Sequence, residues 1–281
     1  MIWYWEHREQ LGCSLNNLYK SLKISKQAVH QLLDRRMSYN EQTGYLSTII
    51  GQIRADHPTL SCRAMYYKIE PENIGRDAFE QLCQELGFHT DRPKNTRRTT
   101  DSSGVIRFDN LLANLNLTGI DQAWSSDITY YEVKDKFHYI TFIIDCYSRR
   151  ILGWQVSKRL TTEDTTLPAL HQALAIRGNK IPENMIFHSD GGGQYYDKEF
   201  LKCTQAYKIR NSMCEMAYEN GKAERINGII KNNYLKYYKI NTFEELQKNV
   251  DRVVTLYNND RPHKALKYKA PVFFENNIIT L

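Results

Sequence analysis

The sequence lacks the features of a secreted or membrane protein. No apolar run approaches the roughly 18 residues that a membrane-spanning helix needs, and the first ten residues carry charges where a secretion signal needs an apolar core. Its six cysteines include no C-x-x-C pair and its histidines show no finger-like spacing, so neither a structural zinc site nor a disulfide framework is expected. These absences favour a soluble, cytoplasmic protein.

The chain also lacks a strong excess of either charge. It has 38 Lys and Arg against 32 Asp and Glu, a formal net charge of +6. Such an excess permits nucleic-acid binding without demonstrating it. Hydrophobic residues make up 41% of the 281 residues and aromatic residues 12%, which is enough for a packed core and excludes a disordered protein.

The N-terminal segment predicts two short helices joined by a tight turn, with Ser25 as the N-cap of the second. This pattern is typical of a helix-turn-helix DNA-binding region, which we assign to residues 1–40. A plain helical hairpin is the alternative. The candidate DNA contacts on the exposed side of the second helix are Lys26, Gln27 and His30.

Residues 41–90 predict a second small helical unit that binds DNA. Residues 91–119 then form a basic linker, in which the stretch "DRPKNTRRTTDSSG" has no apolar residue apart from its proline and glycine. Arg97 and Arg98 of this linker could follow a phosphate backbone. The competing interpretation is a solvated tether.

The hydrophobic period changes to that of strands beyond residue 120. Three strands in hairpin order are followed by alternating strands and helices, so residues 120–240 predict an α/β domain with a mixed five-stranded sheet and flanking helices. Residues 241–281 predict a C-terminal helix and a tail packed on that domain. The N-terminal region before it is all-α.

Two aspartates stand at strand ends. Asp127 lies in the strand-like stretch "WSSDITYY", where a lone carboxylate needs a cation, a metal or several donors. Asp190 follows a short apolar strand and precedes three glycines, which allow a sharp turn and a close approach of ligand. A turn aspartate that bonds its own backbone is the alternative for Asp190. A further acid, Asp145, is expected to pair with Arg149 or Arg150.

Glu224 lies on a predicted helix, opposite a stripe of isoleucines and on the same side as Lys231. A merely solvated face is the alternative. This segment is rich in Lys and Arg, so a single glutamate there is better explained as a ligand. The candidate DNA contacts in this part of the chain are Lys222, Arg225, Lys231 and Arg261.

Two aspartates and a glutamate from different elements suit a hard cation such as Mg²⁺ or Mn²⁺. Two such ions can activate an attacking hydroxyl and stabilise the leaving oxygen of a phosphodiester. We therefore expect Asp127, Asp190 and Glu224 to be both catalytic and metal-binding.

Five motifs in order, "WSSDITY", "FIIDCYSRRILGW", "HSDGGGQY", "NGKAERINGIIK" and "YNNDRPHKALKYKAP", resemble the insertion-sequence transposases of the IS-three family in the retroviral-integrase superfamily. The resemblance implies an RNase H-like fold and an acidic triad at the three residues named above. It also implies Lys231 as the basic partner seven positions after Glu224. The loop between Asp190 and Glu224 is slightly shorter than is usual in this family.

The sequence thus predicts a DNA transposase that cleaves element ends and joins 3′-hydroxyl ends to DNA. Its expected partners are terminal inverted repeats and target DNA, and a homo-oligomer of at least two subunits is expected because two ends must be brought together. The alternatives are a structure-selective nuclease on the same fold and a catalytically inactive, domesticated DNA-binding protein.

Overall fold

The computed structural model describes residues 7, 9–10, 12, 14–90, 107–113, 115–214 and 217–279. The predicted DNA contacts Arg97 and Arg98 lie outside the described residues. Among the residues that are described, no helix is long and apolar enough to cross a membrane.

A five-stranded mixed sheet forms the centre of the second half of the chain, as the sequence predicts. The strand order is β3-β2-β1-β4-β5, with β1 and β2 antiparallel, β2 and β3 antiparallel, and β4 parallel to both β1 and β5. The strands are β1 (Ala123–Val133), β2 (Lys136–Asp145), β3 (Ile151–Ser157), β4 (Ile186–Ser189) and β5 (Arg210–Met213).

Two hydrophobic cores cover the two faces of this sheet. One face packs against α7 and α8, through residues such as Phe142, Ile226 and Val250. The other packs against α5 and α6, through Trp124, Leu170 and Phe200 among others. The helices are α5 (Thr166–Ile176), α6 (Lys198–Ala206), α7 (Gly221–Asn233) and α8 (Phe243–Asn259). This three-layer arrangement confirms the predicted RNase H-like fold.

The N-terminal region is all-α, as predicted, and contains α1 (Leu15–Ser21), α2 (Lys26–Asp56), α3 (Cys62–Ile69) and α4 (Arg76–Glu85). Ser25 caps α2, because its side chain accepts a 3.1 Å hydrogen bond from the Ala28 N–H. The prediction that this helix is short was wrong: it has 31 residues, and the boundary drawn at residue 40 falls inside it. No proline interrupts the segment, and its two glycines are accommodated within the helix.

The inner half of α2 supplies the core of the helical unit. Leu46 and Ile50 on α2 pack with Met65 on α3 and Phe79 on α4, all almost fully buried. The outer half buries only Val29 among its side chains. The helical unit is therefore anchored at one end of this long helix.

The chain continues beyond α8 into a further helix, α9 (Pro271–Ile279), where the sequence predicted only a tail. Glu275 of α9 is buried and forms ion pairs with Arg150 at 2.6 Å and Arg177 at 2.7 Å, and it accepts a hydrogen bond from the Ser148 hydroxyl. Because the guanidinium groups and a hydroxyl satisfy its carboxylate, this burial does not leave an uncompensated charge. These contacts hold α9 on the core.

Polar contacts join the helical unit to the core. His57, at the end of α2, is fully buried; its Nδ1 lies 2.6 Å from the Tyr234 hydroxyl and its Nε2 lies 2.7 Å from an Asp260 carboxylate oxygen. Lys68 of α3 forms an ion pair with the same Asp260. These contacts fix the end of α2 against the segments that follow α7 and α8.

Candidate catalytic and nucleic-acid site

Asp127 and Asp190 lie on neighbouring parallel strands. The β1–β4 ladder pairs Ala123 with Ile186 and Ser125 with His188, an offset of 63 positions. With the same offset, Asp127, two residues further along β1, corresponds to Asp190. Asp190 directly follows the last residue of β4, so it lies beside Asp127, which is within the neighbouring central strand β1.

Helix α7 runs along β1 with matching side-chain spacing. Two residues along a strand and four residues along a helix both cover about 6–7 Å, so side chains at these intervals remain opposite one another. Asn227 Nδ2 accordingly donates a 2.7 Å hydrogen bond to Asp127 Oδ2, and Lys231 Nζ donates a 3.1 Å hydrogen bond to Thr129 Oγ1. Alternate residues of β1 thus face α7, which positions Asp127 toward the polar stripe of that helix.

Glu224 is exposed and lies one helical turn before Asn227, about 60° from it around the helix. The start of α7 is held by Asn220, whose side chain accepts a hydrogen bond from the Ser125 hydroxyl and donates one of 2.9 Å to the Ser126 carbonyl. Glu224 therefore sits on the stripe that faces β1, on a helix whose N-terminus is fixed to that strand.

The pKa of Asp127 is raised to about 7, far above its ordinary value. Burial is the largest cause; the negative charge of Asp190 and then that of Glu224 also raise it, while the hydrogen bond from Asn227 lowers it. Asp190 is exposed to solvent as a residue, but the protein around its carboxylate desolvates it and raises its pKa. The hydrogen bond from the Gly192 N–H acts in the opposite direction and lowers this pKa. A carboxylate with these neighbours needs a proton or a cation.

The geometry falls short of a preformed metal cage. Within the described ranges, no three His, Cys, Asp or Glu side chains are gathered closely enough to hold an ion. The structure brings Asp127 and Asp190 to the same level of the neighbouring strands β1 and β4 and places Glu224 within electrostatic range of Asp127. The donor set fits the predicted ions, because carboxylate oxygens are the ligands that Mg²⁺ and Mn²⁺ prefer.

The glycines after Asp190 determine the backbone conformation next to its carboxylate. Gly191 has φ +76°, and a Cβ there would lie 2.0 Å from Cε of Met213. Only glycine fits this position without displacing the methionine. Gly192 donates its N–H to Asp190 Oδ1 at 3.1 Å, so the alternative prediction of a turn aspartate that bonds its own backbone also describes this carboxylate.

The other predicted DNA contacts are distributed over two regions. On α2, Lys26, Gln27 and His30 are exposed in the first two turns. Lys231 is half-buried near Asp127, with its Nζ 4.8 Å from the ring centre of Tyr130. The remaining three, Lys222, Arg225 and Arg261, line a cavity between the helical unit and the core. Their contacts with DNA stay predictions.

Asp145 has a different role from the expected ion pair. It is fully buried and accepts hydrogen bonds from the backbone N–H groups of Asp121, Tyr147 and Ser148. Neither Arg149 nor Arg150 forms an ion pair with it; Arg150 pairs with Glu275 instead. Three donors compensate the buried carboxylate, so it stabilises the β2–β3 turn.

Sequence reasoning did not indicate the hydrogen bond from Asn227 to Asp127. It also missed Tyr195, which is buried and whose hydroxyl lies 2.8 Å from that of Ser126, next to Asp127 in the chain. The four-residue spacing between Asn227 and Lys231 was the sequence signal from which the contact of Asn227 with β1 could have been found. Nothing in the local sequence around Tyr195 indicates its contact with β1.

Comparison with known proteins places this fold and site in a family. Residues 118–218 match the family described as "Integrase core domain", and residues 206–271 match a second family of the same description. Together the two matches span more than half of the chain. The matched region contains all five strands and the three candidate acids.

Bacterial relatives are similar over most of their length. An insertion element IS600 uncharacterized 31 kDa protein of Shigella sonnei is 28% identical over 87% of this chain and 90% of its own. A putative transposase for IS986/IS6110 of Mycobacterium tuberculosis is 27% identical over 90% and 95%. Transposase InsF for IS3fB of Escherichia coli K12 is 29% identical over 73% and 72%.

A solved structure of the HTLV-2 integrase catalytic core domain in complex with magnesium covers 56% of this chain and 97% of its own, with 22% identity and a TM-score of 0.46. The family matches and the bacterial relatives define an enzyme of the polynucleotidyl transferase class. The chain belongs to the integrase-like transposases of insertion elements, and it is a DNA transposase.

Proposed function

We propose that Asp127, Asp190 and Glu224 are the catalytic residues of this transposase and together hold two divalent ions, Mg²⁺ or Mn²⁺. The observation that carries the proposal is the placement of the three acids: the β1–β4 register puts Asp190 beside Asp127, and Glu224 lies on the side of α7 that faces β1. Burial and the charges of the other two acids accordingly raise the pKa of Asp127 to about 7. A neighbouring cation relieves this repulsion and favours the ionised form. When bound, the ions supply activation of a hydroxyl and stabilisation of a leaving oxygen.

The surrounding residues orient the reacting groups. Asn227 donates to one oxygen of Asp127 and so holds the orientation of the carboxylate that would bind the ions. Lys231, one turn further along α7, provides a positive charge beside the acids for a substrate phosphate. Water or a 3′-hydroxyl serves as nucleophile, so the cleavage of an element end and its joining to DNA use the same residues without a covalent enzyme intermediate.

The helical unit would recognise the DNA of the element ends. The exposed Lys26, Gln27 and His30 are the side chains that α2 offers to a groove. The arginines at 97 and 98 would add contacts to the backbone. Because two ends must meet, the active assembly is a homo-oligomer of at least two subunits.

A strand-transfer assay with pre-cleaved, labelled element ends and Mn²⁺ or Mg²⁺ tests the proposal. We expect metal-dependent products in which the labelled end is joined to a target duplex. A structure-selective nuclease would cut DNA and give no joined product. An inactive DNA-binding protein would retard the DNA and give neither, and either of these outcomes would overturn the proposal.

A further inference from the structure

A cavity of about 720 Å³ lies where three separate parts of the chain meet. Residues 59–64 of the helical unit form one wall, the first two turns of α7 form another, and residues 257–268 form the third. Ile226 and Tyr257 contribute an apolar floor. The volume is within the range of ligand sites, about 300–1,000 Å³.

The lining of this cavity is strongly basic. Five cationic side chains line it, and no aspartate or glutamate does among the residues that the structure describes. None of the five forms an ion pair with a described residue, and one of them, Arg261, donates a hydrogen bond to the Tyr234 hydroxyl at 3.1 Å. The cations are Arg149, Lys222, Arg225, Arg261 and Lys264.

The pKa of His263, a residue that lines the cavity, shows the effect of the surrounding positive charges. The pKa of His263 is lowered to about 3, first by burial and then by the charges of three arginines of this set, Arg261, Arg225 and Arg149. The Nε2 atom of His263 is buried and has no hydrogen-bond partner among the described residues. An anion in the cavity would offset repulsion that the protein leaves uncompensated.

Two cavity residues have an unusual backbone conformation. Arg149 has φ +65° and Tyr268 has φ +60°, although neither is glycine. This left-handed conformation costs an ordinary residue about 1 kcal/mol or more, so it persists only where the surroundings enforce it. At Arg149 the enforcing contacts are those of the buried Asp145, whose carbonyl also accepts the Arg149 N–H at 2.9 Å. Asp145 thus holds the turn that presents Arg149 to the cavity.

We infer that this cavity binds the phosphodiester backbone of one DNA strand, held jointly by the helical unit and the core. A cube of the same volume has an edge of about 9 Å, which is narrower than the major groove alone at about 12 Å, so a duplex does not enter. The apolar floor and Tyr268 can contact a sugar or base while the cations contact phosphates.

The cavity is separate from the acidic site. On α7, Lys222 and Arg225 lie about 160° and 100° around the helix from Glu224, so the helix stands between the two sites. A strand in the cavity is therefore bound away from the reacting phosphate. The inference rests on the proposed function only for the identity of the strand as DNA.

The test compares the same substitution at two exposed alanines. Ala265 lines the cavity, whereas Ala175 lies on α5 on the other side of the sheet. Binding of a fluorescein-labelled oligothymidylate of about 16 nucleotides is measured by anisotropy in EDTA over a range of salt. We expect Ala265→Glu to weaken binding about tenfold and to reduce the salt slope by about 0.7 for each phosphate that the protein no longer neutralises. Ala175→Glu should change binding less than about twofold.

Two more measurements distinguish a bound strand from a bound free phosphate and from a general effect of charge. Lys264→Gln should weaken binding more than the matched Lys202→Gln on α6. The circular dichroism spectra of the two alanine variants and the two lysine variants should match that of the wild type. Equal effects at the paired positions would overturn the inference, as would displacement of the strand by millimolar inorganic phosphate. Because the binding is measured without metal, its result is independent of whether the protein cleaves or joins DNA.

Discussion

Asn227 Nδ2 donates a 2.7 Å hydrogen bond to Oδ2 of Asp127 and so ties helix α7 to the central strand at the candidate catalytic carboxylate. The bond stabilises the ionised form of a side chain that burial and two neighbouring acids destabilise. It also fixes the orientation of the Asp127 carboxylate. The position of Glu224 relative to Asp127 therefore depends on an amide one helical turn away.

Glu224→Gln should abolish cleavage while DNA affinity stays within about twofold of the wild type. The amide keeps the size of the side chain but loses the charge that a divalent ion requires. Cleavage of a labelled element end in Mn²⁺ and gel retardation of the same DNA measure the two effects. Glu132→Gln, on the exposed end of β1, is the control and should be fully active. Normal turnover in the Glu224 variant would remove this residue from the triad.

Asp127→Asn should stabilise the metal-free protein above pH 7. The pKa of Asp127 in the folded protein, about 7, lies above its ordinary value of 3.8, so the folded state holds the proton more tightly. The wild type therefore loses stability as pH rises between these values, and the variant avoids that loss. In a thermal melt with EDTA, we expect the Tm of the variant to exceed that of the wild type by about 3 °C for each kcal/mol of stability that the wild type loses.

Added Mg²⁺ should reverse that order, because an ion that binds only the folded state raises the Tm of the wild type with concentration. The Tm of the Asp127 variant should not respond. Asp34→Asn, at an exposed position on α2, should behave as the wild type in both buffers. A Tm of the wild type that is independent of Mg²⁺ would contradict metal binding at this site.

Lys231→Ala should weaken binding of element ends and flatten the salt dependence by about 0.9 in log–log slope, as expected when one duplex phosphate is no longer neutralised. Burial lowers the pKa of Lys231, whereas the charge of Asp127 raises it, so the ammonium is held close to the acids. Lys236→Ala, on the exposed turn after α7, is the matched control. Identical slopes for the wild type and the Lys231 variant would exclude a phosphate contact.

Two Gly→Ala substitutions should have opposite effects on stability. At Gly153 on β3, a Cβ would lie 2.0 Å from the Ala169 carbonyl oxygen, so α5 must move off the sheet, at a cost of about 1–3 kcal/mol. At Gly51 inside α2 a Cβ meets open space, and alanine should stabilise the helix by about 0.5–1 kcal/mol. Urea unfolding measures both. A neutral Gly153→Ala would show that the sheet and α5 are less tightly packed than described.

Tyr234→Phe should destabilise the protein by about 1–3 kcal/mol, because it leaves Nδ1 of the buried His57 without a partner. The ring itself stays, so the change in stability reports the two hydrogen bonds of the hydroxyl, with His57 and from Arg261. Tyr237→Phe, three residues later and exposed, should be neutral in the same urea titration. Equal stability of the two variants would mean that the His57 contact does not contribute to holding the helical unit on the core.

The sheet could be predicted because its strands carry strong local signals. Residue types that favour strands, β-branched and aromatic, define β1 and β2. The two-residue turn between them, Lys134 and Asp135, takes positive φ at both positions as a tight hairpin needs. The order of the acids along the chain likewise followed from motifs. Helix α2 was cut short in the prediction because residues 37–44, "MSYNEQTG", are mostly polar, so the apolar period is interrupted in the middle of the helix.

The basic cavity could not be predicted as a unit. Arg149, Arg225 and Lys264 come from segments far apart in sequence, and no spacing rule relates them. The role of Asp145 was missed for a related reason, since its partners are backbone N–H groups, which the sequence does not distinguish. Contacts of this kind depend on tertiary packing.

Helix α2 spans 31 residues, or about 46 Å, with its far end exposed and its near end adjoining the fully buried His57. An unbroken helix behaves as a stiff rod, so a lateral force on its exposed tip is transmitted as torque to the His57 junction between the helical unit and the core. If that tip binds DNA as proposed, binding would load this junction without an intervening hinge.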